Sequence, residues 1–131
     1  MQDGTIDCIA TDHAPHSAEE KGRGLEKSAF GTVGSETAFA VCYTHLVRTG
    51  MLTLEKLMHL MSIAPANIIG RRAGITLEAP ADIAVFDLNE KFTVDPDKFV
   101  SMGKSLPFTG MELYGTTALT VCDGKIVYRR K

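Results

Sequence analysis

The residues best equipped for chemistry lie close together near the start of the chain, in Thr11-Asp12-His13-Ala14-Pro15-His16, directly after the apolar run that begins at Ile6. A carboxylate such as Asp12 can bind a divalent cation and take a proton from bound water. Either histidine can serve as metal ligand, base or anion donor. Asp-His-x-x-His is an incomplete zinc signature, because a catalytic zinc normally has three protein ligands and one open position. An ordinary loop-capping Asp with structural histidines fits the same letters. A second candidate is Phe30-Gly31 with Thr32-Val33-Gly34, whose glycines could bring backbone N–H and C=O groups against a ligand. A turn entering the next helix is the plainer reading. Lys104-Ser105 near Pro107-Phe108 could engage an anion, or form a loop packed by Phe108. His45 and His59 fall in helical stretches and read as structural or exposed. No nucleophile elbow, Walker loop, dinucleotide fingerprint or Cys-x-x-Cys pair is present.

The elements that must position these residues can be read from pattern. Ile6–Thr11 suits a buried parallel strand whose C-terminal end faces a cleft. Residues 16–34 form a charged, glycine-punctuated connection, long enough to be a lid or binding loop. Glu36–Val47 predicts a helix with Phe39, Cys42, Tyr43 and Leu46 on one face, stopped at Gly50. Thr53 can cap the next helix, striped by Leu54, Leu57, Met58 and Met61 as core filling, and Pro65 fits the first turn of a short helix ending at Gly70. After Gly74 the period becomes strand-like: Asp82–Asp87, then Lys91–Val94, then a hairpin of 117–122 and 125–128 turned by Asp123-Gly124. Pro96, Pro107 and the glycines at 103, 110 and 115 keep the stretch between these strands mostly irregular. A lone barrel-type strand followed by helices cannot bury a parallel sheet, so its partner strands come from other sequence or the chain folds differently.

Composition narrows the class. With 44% apolar and 23% charged residues the chain is an ordinary globular one. A formal net charge of -2 argues against nucleic acid as a general partner. Cys8, Cys42 and Cys122 each sit in an apolar run and read as buried reduced thiols, which points to the cytoplasm. No apolar run approaches the roughly 18 residues of a membrane span.

Taken together, Thr11–His16, Ala29-Phe30-Gly31, Val33-Gly34-Ser35-Glu36-Thr37-Ala38 and Lys104-Ser105 with Pro107-Phe108-Thr109-Gly110 resemble the C-terminal part of the dihydroorotase family, within the cyclic amidohydrolases. Pro65-Ala66 and Ala81-Asp82 fit as well. The resemblance implies an α/β fold, the C-terminal fragment of a (β/α)8 TIM-type barrel followed by part of a small accessory β domain. Residues 1–74 would end the barrel, with the active-site loop and helices, and residues 75–131 would belong to the β domain. It also implies zinc-dependent interconversion of L-dihydroorotate and N-carbamoyl-L-aspartate in pyrimidine biosynthesis, with two Zn2+ per complete site. Asp12 would bind zinc and carry the proton, His16 would hold the substrate carboxylate, and the backbone at Phe30 and Gly31 would contact the ring. His13 receives no role from it. The family's His-x-His pair, carboxylated lysine and two further metal histidines have no counterparts here, so zinc occupancy of this chain by itself is doubtful and the chain alone is expected to be inactive. The partner it needs is an N-terminal barrel segment, and alone it would be unstable, domain-swapped or a homo-oligomer. The rivals are a neighbouring cyclic amidohydrolase, such as an allantoinase or dihydropyrimidinase, and a non-catalytic module that assembles with another chain.

Overall fold

The computed structural model describes residues 1–131 as an α/β arrangement of short helices beside an open antiparallel sheet. In the sheet, β1 (Ile83–Thr93), β2 (Glu112–Cys122) and β3 (Lys125–Arg129) pair in the order β1-β2-β3. The hairpin between β2 and β3 forms as its turn dictates, with Asp123 and Gly124 at φ 47° and 73°. Residues 82–87 and 91–94, expected as separate strands, merge into the single strand β1. Its register shifts between Asp87 and Lys91, where Asp87 Oδ1 accepts the amides of Asn89 and Glu90 and absorbs the irregularity. Arg130 ties β1 to the end of the chain through Glu90, Thr116 and Asp87.

Four short helices precede the sheet. α1 (Ala18–Lys21) opens with a full capping box: Glu20 N–H donates to Ser17 Oγ, and Ser17 N–H donates back to the Glu20 carboxylate. α2 (Ala38–Cys42) continues as a π turn over Tyr43–Val47 and stops before Gly50. α3 (Leu54–Met58) is capped by Thr53, whose hydroxyl accepts Lys56 N–H. α2 lies on the sheet, with Phe39 stacked on Phe86 at 3.7 Å between ring centroids and on Tyr43 at 5.7 Å. Leu57 beneath these rings is fully buried, and Ala40, Val94 and Leu113 form a second small core cluster.

The short helix expected with Pro65 in its first turn forms, but it continues the helix before it. α3 runs through a π turn (His59–Ile63) into α4 (Ala64–Ile68), with helical backbone throughout. Ala64 N–H donates to His59 O, one residue further back than in an α-helix, and Pro65 has no N–H to give. The carbonyl of Leu60 is thereby freed, and it accepts Ile9 N–H at 2.9 Å. A proline in a helix therefore creates the anchor for the segment leading to Asp12.

That segment also departs from expectation. Ile6–Thr11 belongs to no ladder, Ile6 is exposed, and Cys8 and Ile9 are only half-buried. An apolar run becomes a buried strand only with neighbours on both sides, and here the one strand-like contact nearby is an isolated parallel bridge beyond the run, from His13 to Thr32. The cysteines need a similar correction: all are free, but Cys8 and Cys42 are half-buried and Cys122 is exposed at the hairpin. Burial pushes the Cys42 thiol up from its usual pKa.

The core is small for the chain. The accessible surface is 9282 Å², against about 6,800 Å² expected for a compact monomer of 14.2 kDa. No helix is long and apolar enough to cross a membrane.

Candidate functional site

Two stretches distant in sequence, the loops 29–35 and 101–105, converge on Asp12–His16, and α1 follows directly after it. Ala14 N–H donates to Thr32 O at 2.9 Å, and Val33 N–H donates to Ser105 O at 3.0 Å. The approach is closest at two glycines. A Cβ on Gly31 would lie 2.5 Å from Ala14 Cβ and 2.8 Å from Ala14 O, and its φ of +120° disfavours any side chain. A Cβ on Gly103 would lie 2.8 Å from Pro15 Cβ and 2.9 Å from both His16 N and His16 O. Gly31 is also next to the His16 ring, since the same added Cβ would meet His16 Cδ2 at 3.4 Å.

Lys21, carried on α1, orients the loop from the other side. Its Nζ donates to Ala29 O at 2.8 Å and Gly31 O at 3.0 Å, the carbonyls flanking Phe30. Phe30 N–H, Phe30 C=O and Gly31 N–H make no hydrogen bond within the chain, and the Phe30 side chain is 94% exposed. Two donors and one acceptor are thus presented in a row next to an imidazole. Nothing in the local letters marked Lys21, although the Ser17-x-x-Glu20 capping box marks the helical turn that carries it.

Asp12 is exposed, accepts no hydrogen bond within the chain and has φ 44°, a left-handed conformation that Asp tolerates better than most residues. His16 is half-buried, with Nδ1 3.7 Å from Glu20 Oε2. The Ser17 amide and hydroxyl, followed by the charges of His16 and Arg23, hold the Glu20 carboxyl below its usual range. Glu20 is therefore an anion already beside His16, and an incoming carboxylate must use the other ring nitrogen or displace it. Lys104 turns its Nζ to Phe99 O at 2.8 Å while Phe108 packs against the core, so this segment is a folded loop here. His45 and His59 are exposed on the helices.

Glu36 braces the loop behind the site. Its carboxylate accepts Val100 N–H at 2.9 Å and Ser101 N–H at 3.1 Å. Burial alone would raise its pKa, but the hydrogen bonds from Ser101 and Val100 and the charge of Lys104 outweigh it and hold the group below the usual 4.5. A carboxyl with a lowered folded-state pKa stabilises the fold above its unfolded value, and that contribution is lost as pH falls through the folded value. Protection of the Val100 and Ser101 amides from hydrogen exchange should therefore weaken as the solution is acidified below pH 4.5. Glu36→Gln should remove that pH dependence.

No group of three or more His, Cys, Asp or Glu side chains converges to hold a metal ion. The unpaired Asp12 carboxylate suits one ligand position, but the donor set of these residues does not fit a binuclear zinc centre by itself. A broad concave surface lies between α2 and the sheet, lined by Phe39, Phe86, Phe99 and Arg130 among others; it reaches Thr11 and Ser35 but includes none of Asp12, His16, Phe30 or Gly31.

The profile of the amidohydrolase family matches residues 1–127. The chain belongs to the amidohydrolase family. Within this family it is 51% identical over 132 aligned positions to the dihydroorotase of Lactobacillus leichmannii, covering all of this chain and 31% of that protein. It is 51% identical to the dihydroorotase of Enterococcus faecalis, covering 98% and 30%. The chain thus spans about a third of the length of the dihydroorotases it matches. Among solved amidohydrolase structures, L-hydantoinase (dihydropyrimidinase) from Arthrobacter aurescens superposes with a TM-score of 0.86 at 32% identity, over 97% of this chain and 30% of that one. D-hydantoinase from Bacillus sp. AR9 gives 0.87 at 27% identity, over 96% and 29%.

Proposed function

We propose that the chain is the C-terminal part of a dihydroorotase, hydrolysing the cyclic amide of L-dihydroorotate to N-carbamoyl-L-aspartate in pyrimidine biosynthesis in the cytoplasm. The observation that carries this reading is the set of free backbone groups at Phe30 and Gly31 beside the His16 ring. A dihydropyrimidine ring offers both N–H donors and carbonyl acceptors along one edge, and Phe30 N–H, Phe30 C=O and Gly31 N–H match such an edge without a side chain intervening. His16 then holds the substrate carboxylate, which fixes the ring relative to Asp12. The identity with dihydroorotases over the whole chain supports the same reading.

Asp12 is the proton carrier. It takes a proton from the attacking water as the new C–O bond forms at the ring carbonyl, and delivers it to the ring nitrogen as the C–N bond breaks. Its free carboxylate and exposed position suit this exchange. In a complete site two zinc ions, with Asp12 as one ligand, would lower the pKa of the water. Residues 1–74 would then end a (β/α)8 barrel and residues 75–131 would belong to an accessory β domain, with the remaining ligands supplied by barrel residues outside these. The chain alone is expected to be inactive, and its large accessible area is consistent with surfaces that the rest of a barrel would cover.

The second reading is a hydantoinase or dihydropyrimidinase, favoured by the solved structures the chain superposes on. The two differ at the carboxylate, which dihydroorotate has and dihydrouracil lacks. His16→Ala, in a complete barrel made by joining this chain in frame to the preceding part of the Lactobacillus leichmannii relative, should raise KM for dihydroorotate by roughly tenfold or more. Steady-state kinetics checks this, and an unchanged KM would remove His16 from substrate binding.

A further inference from the structure

We propose that His13 is a positioning residue that clamps the substrate loop, its ring Nδ1 accepting the backbone amides of Gly34 and Ser35 so that Phe30 and Gly31 are held beside His16. The inference rests on the dihydroorotase reading for its substrate but on geometry for the clamp. Both amides reach Nδ1 at 3.1 Å. A ring nitrogen that accepts two N–H groups carries no proton, so the ring proton of the neutral imidazole sits on Nε2, which makes no hydrogen bond within the chain.

Position gives the clamp its leverage. His13 follows Asp12 directly, and its backbone bridges Thr32 in parallel. Gly34 and Ser35 lie just beyond Val33, which is buried and bonded to Ser105. The imidazole therefore locks the far end of the loop to the residue next to the proton carrier, while Lys21 holds the near end through Ala29 O and Gly31 O. Between these two fixed points Phe30 has its N–H and C=O free. With the His13 end loose, no side chain holds the Gly34 and Ser35 amides, and the loop is left to Lys21 and to the backbone bonds of Thr32 to Ala14 and of Val33 to Ser105.

Two variants separate acceptor from ring. Asn offers an acceptor near the Nδ1 position, and Ala offers none. In the complete barrel carrying this chain, the Gly34 and Ser35 amides should be protected from hydrogen exchange in the wild type and in His13→Asn, but exchange freely in His13→Ala. Nitrogen NMR of the wild-type imidazole should show Nδ1 unprotonated and Nε2 protonated. In the complete barrel, His13→Ala should raise KM for dihydroorotate about tenfold while kcat stays within about threefold, because the loop orients substrate and does not move protons. His13→Asn should restore KM. Unprotected amides in the wild type, or equal impairment of KM in both variants, would overturn the clamp. An unchanged KM in His13→Ala would do the same for its positioning role. A wild-type barrel that ignores dihydroorotate would count against the function reading, and the exchange data would still decide the clamp.

Discussion

Asp12→Asn in a complete barrel is expected to lower kcat for dihydroorotate on the order of 10²–10⁴-fold, the usual contribution of a positioned acid–base group. Asparagine is the right replacement because the backbone here has φ 44°. Asn adopts the left-handed region nearly as readily as Asp, so the loop keeps its course while the carboxylate loses its capacity to carry a proton. Alanine would add a backbone penalty of roughly 1 kcal/mol and blur the result. Since Asp12 makes no hydrogen bond within the chain, the thermal midpoint of the Asn variant should match the wild type when both are metal-free. Activity retained within a few fold would remove Asp12 from the proton path.

The second large effect concerns a residue with no side chain. Gly31→Ala places a methyl group 2.5 Å from Ala14 Cβ and 2.8 Å from Ala14 O, neither of which is a flexible side-chain end. The loop must shift by about an ångström, and misplacement of that size costs roughly 100-fold in kcat/KM where orientation governs the reaction. Gly24→Ala is the matched control. Gly24 also has positive φ, at +81°, but a Cβ there meets nothing within 4 Å. It should lose a little stability and keep its kinetics. Equal kinetic losses in the two variants would mean that backbone strain, not the contact with Ala14, is responsible.

What could be read from the letters depended on how local the cause was. The Asp123-Gly124 turn and the Thr53 cap depend on a few adjacent residues, and both form as expected. The Phe39/Tyr43 stripe depends on helical spacing, and it packs on the sheet. The Ile6–Thr11 run was legible as apolar but not as paired, because a ladder is a property of two segments and its partners leave no mark on this one. The Pro65 effect needed a carbonyl and an amide, Leu60 O and Ile9 N–H, far apart in sequence. At the site, residue types singled out Asp12, His16, Phe30 and Gly31, and the fold brings His16 and Gly31 into contact. The histidine left without a role, His13, is the one with the most definite hydrogen bonds, to amides 21 and 22 positions downstream. No periodicity encodes a contact of that kind.

The most direct test of the account is a comparison of kcat/KM for dihydroorotate, dihydrouracil and hydantoin in the complete, zinc-loaded barrel carrying this chain. A site that reads the ring edge through Phe30 and Gly31 and the carboxylate through His16 predicts that dihydroorotate is preferred by at least roughly tenfold, the minimum expected of one charge-assisted hydrogen bond. Faster turnover of the uncarboxylated rings, with dihydroorotate a poor substrate, would contradict it and favour the hydantoinase reading.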